Sequence, residues 1–277
     1  MPVIDLPTAR LDYTDSGGDG AVLVMLHGPL IDRTLWSRVI GRLPDLRCIA
    51  PTLPLGAHRH PAPDDELSNE SLTRMVARLL EELSLRDVTL VLNDWGGAQI
   101  FVELGLADRV SRLAMVACEA FDNVPAGAAG RMLARMARTP GALALQARLT
   151  RLRAVRRVLG AGMAAHPIPD EILRRWFAPS RDPRIRDDLR RFSARFPIPA
   201  DRDLSRGLGD FAGPALVAWA EEDRMMPPEH GRRLAELLPD AESTRIADAG
   251  TLVPLDQPGV LSGHLRELVH RPVRRLT

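Results

Sequence analysis

An aspartate set between an apolar run and two glycines is the group best placed to do chemistry in this sequence. Val88–Leu92 is apolar and rich in β-branched residues, and Asn93-Asp94-Trp95-Gly96-Gly97 breaks it. From Ala98 the apolar residues Ile100, Phe101, Leu104 and Leu106 recur at roughly helical spacing. The pattern predicts a strand, a sharp turn and a helix, with Asp94 at the apex. In such a turn the two backbones nearly touch, which small residues permit, and Gly96 and Gly97 meet that need. A carboxylate at the apex approaches its target with no shell of side chains in the way. Aspartate is also a favoured helix N-cap, so the turn by itself leaves both roles open.

The other reactive residue types are sparse. Cys48 and Cys118 fall in apolar strand-like runs and read as buried free thiols. There is no CxxC and no His/Cys cluster at metal spacing, so neither a metal nor a cofactor is expected. The seven histidines are His27, His58, His60, His166, His230, His264 and His270. His27 ends a strand in a turn, His166 is in a loop, and His230, His264 and His270 fall on helix or tail positions. His58 and His60 follow a core strand, in the Pro/Gly/His loop from Pro51 to Pro63. In open α/β sheets such loops rim the ligand crevice. His58 and His60 are therefore the candidates for reaching a pocket, against the plainer role of surface-loop histidines.

The elements that must position these groups alternate. Ala9–Thr14 reads as an edge strand, Ala21–Leu26 as a buried strand, Thr34–Leu43 as a short helix and Leu46–Ala50 as a strand. Ser68–Leu83 has apolar residues at 72, 75, 76, 79, 80 and 83, a helix capped by Ser68 or Asn69. After the central turn comes the strand Leu113–Cys118, followed by Glu119. Strands and helices alternating at this spacing predict a mostly parallel sheet with helices on both faces. From Asp122 to Ser205 the pattern is helical, without a convincing strand, and is punctuated by prolines 140, 167, 169, 179, 183, 197 and 199. The alternation then resumes with Ala215–Ala220, Pro228–Leu238, Ser243–Ala247 and Val260–Leu268. The expected organisation is an α/β core of residues 1–121 and 206–277 with a helical cap at 122–205.

At 277 residues, with 45% hydrophobic and 26% charged residues, this is the composition of a globular protein. No apolar run nears the ~20 residues of a membrane span, and the N-terminal stretch lacks a basic leader region, so a cytoplasmic location is expected. All 37 basic residues are arginine. Residues 122–205 hold 17 of them against eight acidic residues, and the remainder holds 20 against 28. The arginines alternate with acids at helical spacing, as in Arg184, Arg186, Asp187, Asp188, Arg190 and Arg191, which favours solvated helix faces over a nucleic-acid surface. The expected partner is a small-molecule substrate, with no nucleic acid and no membrane; a homodimer is left open.

The order of these pieces resembles the α/β-hydrolase fold over essentially the whole chain. The elbow Asn93-Asp94-Trp95-Gly96-Gly97 is most similar to that of the haloalkane dehalogenase and epoxide hydrolase branch, which carries Asp where esterases and lipases carry Ser. The resemblance implies that Asp94 attacks a carbon, displaces a leaving group and forms an alkyl-enzyme ester. It implies that the Trp95 indole N–H holds the leaving group, with a packed pocket wall as the alternative role, and that the turn at Gly28 supplies an oxyanion donor. It places the acid that orients a catalytic histidine at Asp223, in Trp219–Pro227, with Glu119 as the alternative. Pro29, Leu30, His58, Phe121, Trp176 and Phe177 are the expected pocket residues, with core packing as the commoner role for the aromatic ones.

Two departures qualify what the resemblance implies. In Ala249–Pro258 the family's histidine position is held by Thr251, which cannot take a proton from water near neutral pH. General-base help is typically worth ~10²–10⁴-fold in rate, so an Asp94 ester is expected to form and to hydrolyse slowly. The residue after His27-Gly28, whose N–H normally completes the oxyanion hole, is Pro29, which has none; such a loss can cost ~10²–10³ in turnover. The N–H of Gly28 or Leu30 would have to substitute. The sole tyrosine, Tyr13, precedes the core, which disfavours epoxide opening by cap tyrosines. The expected function is a hydrolase acting through Asp94 on a small apolar substrate. The alternatives are a non-hydrolytic lyase or cyclase using Asp94 as base, and a catalytically inactive ligand-binding member of the fold.

Overall fold

The structure, a computed structural model, describes residues 2–63, 67–195 and 203–273. Eight strands form one sheet: β1 (Val3–Leu6), β2 (Ala9–Asp15), β3 (Val22–Leu26), β4 (Arg47–Pro51), β5 (Val88–Asp94), β6 (Val110–Cys118), β7 (Ala215–Ala220) and β8 (Ala241–Ile246). Their spatial order is β1-β2-β4-β3-β5-β6-β7-β8. The β1–β2 and β2–β4 pairs are antiparallel and all others parallel. β5 and β7 are buried along their whole lengths, as parallel strands covered on both faces must be. Ala9–Thr14, expected at the edge, is the second strand. The edge is β1, joined to β2 across the tight Pro7-Thr8 turn, in which Leu6 pairs with Ala9. Only Leu6 of β1 is buried, so its apolar pattern was too thin to read.

The helices in chain order are α1 (Ser37–Ile40), α2 (Asn69–Glu82), α3 (Gly127–Arg138), α4 (Ala142–Leu149), α5 (Arg153–Gly160), α6 (Asp170–Phe177), α7 (Pro183–Ser193), α8 (Pro228–Leu237), α9 (Val253–Asp256) and α10 (Pro258–His270). In α2, Leu72, Met75, Val76, Leu79 and Leu80 form the buried stripe, and Ser68 caps it by accepting from the Ser71 N–H. A 3₁₀ turn, Arg33–Trp36, precedes α1, so the expected helix at 34–43 is split. The helix expected after the Asp94 turn is a 3₁₀ segment, Gly97–Phe101. Gly105, at φ +66°, ends the run.

Between β6 and β7 the described residues contain helices and no strand. Pro197 and Pro199 lie outside the described residues. One hydrophobic core runs through both faces of the sheet and extends into this helical insert through Leu173, Trp176, Phe177 and Phe192. No helix among the described residues is long and apolar enough to cross a membrane.

Candidate active site

The turn after β5 is tight because three glycines allow it. Asp94 adopts a left-handed backbone at φ +63°, a conformation that costs a non-glycine residue on the order of 1–2 kcal/mol. A Cβ on Gly96 would meet the Glu119 carbonyl, one on Gly97 the Trp95 ring, and one on Gly28 the Asp94 carboxylate. The end of β3, the Asp94 elbow and the end of β6 therefore converge at one point. The Glu119 N–H donates to the Asp94 carbonyl at 2.9 Å, which locks the two strand ends together.

The Asp94 carboxylate opens on a cavity between the sheet and the helical insert. The core contributes Pro29, Leu30, Asp94, Glu119 and Met225 to its wall. The insert contributes mainly Met132, Leu133, Met136, Leu159, Met163 and Phe177. Among the described residues, no arginine or histidine lines the cavity. The Asp94 carboxylate accepts no hydrogen bond from the described residues, so burial, with the Asp223 charge adding to it, pushes it up to about 7. Glu119 accepts from the Ala126 N–H at 3.0 Å and the Gly96 N–H at 3.4 Å. Burial and the Asp94 charge outweigh those bonds and push Glu119 up to about 8. The site is thus a pair of carboxyl groups in a mostly apolar chamber, with no cation among the described lining residues to balance them.

Thr251 and Asp223 meet behind this chamber. The Thr251 hydroxyl donates to Asp223 Oδ1 at 2.7 Å, and the Met225 and Met226 N–H groups donate to the same oxygen at 2.8 and 2.9 Å. Asp223 Oδ2 is shielded from solvent and has no partner among the described residues. Burial holds the Asp223 carboxyl above its ordinary value despite those bonds. The acid and the family's histidine position are therefore in contact, but the contact is with a hydroxyl that passes no proton onward. Asn93 fixes this corner by donating to the Thr251 carbonyl at 2.7 Å and the Val116 carbonyl at 2.8 Å.

Several expected site residues lie elsewhere. The indole N–H of Trp95 does not face the cavity: it donates to Asn69 Oδ1 at 2.8 Å, at the start of α2, and the ring is fully buried. Trp95 is therefore a packed residue and not a leaving-group donor. His58 does not reach the cavity either. Its Nδ1 accepts from the Gly56 N–H at 3.1 Å, so Nε2 carries the proton and donates to Asp188 Oδ2 of α7 at 2.8 Å. With both nitrogens committed, His58 ties the loop after β4 to the insert. His60 is half-exposed beside Asp12. Trp176 is likewise turned away, its indole donating to Asp32 Oδ1 and Thr34 Oγ1, both at 3.2 Å. Phe121 packs edge-on against His230 with the Arg233 guanidinium over its face. Pro29, Leu30 and Phe177 do line the cavity. The Leu30 N–H is spent on the Leu55 carbonyl at 2.8 Å, which excludes it as a substitute oxyanion donor. The Gly28 N–H donates to no described residue.

Sequence reasoning missed Asn69, Asp32 and Asp188, the acceptors that capture Trp95, Trp176 and His58. Each partner is 26 or more residues away, and no local pattern links them. It also missed the methionines at 132, 136, 163 and 225, which make up much of the cavity wall.

A family model described as the alpha/beta hydrolase fold matches residues 21–258. A haloalkane dehalogenase of Mesorhizobium japonicum is 32% identical over 102 residues, 36% of this chain and 32% of that protein, so the match spans about a third of that relative. A cis-3-alkyl-4-alkyloxetan-2-one decarboxylase of Xanthomonas campestris pv. campestris is 29% identical over 294 residues, 96% of this chain and 94% of that protein. The structure of a thermophilic esterase from Thermogutta terrifontis superposes with a TM-score of 0.74 at 22% identity, covering 98% of this chain and 100% of that one.

Proposed function

This chain belongs to the α/β hydrolase fold family, and on that premise we propose that it is an enzyme acting on small, mostly apolar electrophiles through a covalent ester on Asp94. The observation that carries the reading is the setting of Asp94: a left-handed elbow residue whose carboxylate faces a mostly apolar cavity and accepts no hydrogen bond from the described residues. A carboxylate stripped of donors is a stronger nucleophile once ionised. Its Oδ attacks the electrophilic carbon, the bond to the leaving group breaks, and the leaving group departs with the electron pair. The helical insert serves as the cap that encloses the apolar part of the substrate, and the Gly28 N–H, beside the Asp94 carboxylate and taken up by no described residue, is the donor offered to the developing charge.

A second reading concerns how the ester is released, and the Thr251–Asp223 contact favours it. No histidine among the described residues lines the cavity to activate water, so release without water suits this site better than hydrolysis. A strained four-membered lactone, the substrate class in the name of the decarboxylase relative, needs none. Attack by Asp94 at the ring carbon bearing oxygen opens the ring and frees a carboxylate on the neighbouring carbon. Cleavage of the bond to that carboxylate then forms the alkene and expels Asp94. Carbon dioxide and the alkene account for every atom of the lactone. The hydrolytic reading rests on the dehalogenase relatives.

The test is intact-mass analysis after incubation with 1-bromoalkanes and with a cis-dialkyl β-lactone, in water enriched in ¹⁸O. An adduct that maps to Asp94 and is lost in Asp94→Asn is expected from the bromides. Alkene without label is expected from the lactone. Labelled alcohol from either probe would establish hydrolytic release instead. Absence of both adduct and product would overturn the nucleophile assignment. Because only the ionised carboxylate attacks, adduct formation is expected to rise with pH through about 7 and then level off.

A further inference from the structure

The cavity has a second polar pole that the Asp94 chemistry does not use. Ser193, on the last turn of α7, and Gln146, on α4, both line it. Ser193 is only 1% exposed, and its hydroxyl is buried with no hydrogen-bond partner among the described residues. That is unusual for a helical serine, which ordinarily bonds to the carbonyl one turn earlier. A buried hydroxyl without a partner is destabilising unless something supplies the bond. The Gln146 side chain, which is only partly buried, makes no hydrogen bond with the described residues and is free to turn to a ligand. The other described insert residues of the wall are apolar, methionines and leucines prominent among them. One pole thus sits at the strand ends, as Asp94 and Glu119, and the other sits in the insert.

We infer that Ser193 and Gln146 form a distal specificity subsite, and that the substrate is an apolar chain carrying an uncharged oxygen function, a hydroxyl above all, at the end remote from its electrophilic carbon. A hydroxyl both donates and accepts, matching a serine hydroxyl and an amide that each do the same. Among the described residues no ionisable side chain other than Asp94 and Glu119 lines the cavity, which leaves a charged group without a counter-charge at this pole. The flexible methionine walls let chains of one best length adapt between the poles. A site built to bond a hydroxyl discriminates against the analogue lacking it far more sharply than an apolar pocket discriminates a methylene.

The inference rests on the Asp94 reading, and the experiment separates the two. The rate of Asp94 alkylation is measured by intact mass for 1-bromoalkanes and for the ω-bromo-1-alkanols of the same length, from four to ten carbons. The wild-type protein is expected to prefer the bromoalcohol at one chain length by about tenfold or more, the equivalent of one good hydrogen bond. In Ser193→Ala and Gln146→Met, each checked for folding by its melting temperature, that ratio is expected to fall toward one. No preference at any length, or a preference undiminished in both variants, would overturn the subsite. If no bromide alkylates Asp94, the nucleophile assignment fails by itself, and the subsite is decided by binding. Calorimetry with the fluoroalkanes and ω-fluoroalkanols, whose carbon–fluorine bond is not displaced, then shows the same ratio and the same loss in Ser193→Ala, or refutes it.

Discussion

Asp94 is held where its charge is costly, and this has a consequence for stability. Its carboxyl is pushed up to about 7 from an ordinary value of 3.8. Between those values the folded state retains a proton that the unfolded chain has lost, so stability falls as pH rises through that window and stays reduced above it. Asn at this position carries no such cost. Asp94→Asn is therefore expected to melt at a temperature close to wild type at pH 4 and clearly above it at pH 8. The gap is on the order of a few kcal/mol, since a tenfold change in proton affinity is worth about 1.4 kcal/mol. Thermal unfolding across pH checks this, and equal melting temperatures at pH 8 would show that the site relaxes enough to solvate the charge. The Thr251 position carries a second expectation. Thr251→His would place an imidazole beside Asp223, whose Oδ2 has no described partner. Hydrolysis of a preformed Asp94 ester is expected to speed up by ~10²–10⁴-fold, followed as decay of the adduct mass. A larger side chain at a site only 1% exposed is expected to lower stability by about 1–3 kcal/mol. The same scale shows where sequence reading stops. Asp94 was legible because its turn is local, whereas the fate of the Trp95 indole depended on Asn69, 26 residues away.

At the scale of elements, the loop after β4 and helix α7 are joined by one buried contact set. Asp188 accepts from His58 Nε2 at 2.8 Å and from the Ala62 N–H at 2.9 Å, and pairs with Arg191. His58→Ala removes one donor from a carboxylate that is 1% exposed. The expected cost is about 1–3 kcal/mol. Amide exchange in α7 and in the loop Gly56–Ala62 is expected to quicken, while β5 and β6 stay protected, as befits separable cooperative units. Unchanged exchange in α7 would mean that its apolar face alone holds it. Strand and helix identities were largely readable because burial on both faces leaves continuous apolar runs in β5 and β7, and a one-sided stripe in α2. After Asp94 the run is a 3₁₀ segment, Gly97–Phe101, ending at Gly105, a distinction that apolar spacing does not carry.

Across the whole molecule, charge is partitioned between the insert, with 17 arginines against eight acidic residues, and the remainder, with 20 against 28. Part of that complementarity is realised where the two meet, as in Arg175 with Asp32 at 2.9 Å. Apolar packing of Leu173, Trp176, Phe177 and Phe192 accompanies it. Raising salt from 0.1 M to 1 M shortens the screening length from about 10 Å to about 3 Å. Amide exchange of α6 and α7 is expected to rise with salt while that of β5 and β6 does not. Salt-independent exchange in the insert would show that apolar packing carries the attachment alone.

The amino-acid sequence by itself determined the architecture and singled out the residue proposed to react. Periodicity, turn chemistry and the small residues around Asp94 act over a few positions, and the backbone constraints they express hold wherever the segment lands. Only the tertiary structure decided which polar atoms are free to act. His58 meets Asp188 across 130 positions, and Trp176 meets Asp32 across 144. The unpartnered Ser193 hydroxyl is recognisable only once the cavity has closed around it. Hydrogen-bond partnership at such range is set by where packed elements place their side chains, and each partner chosen removes a group from the chemistry available to a ligand.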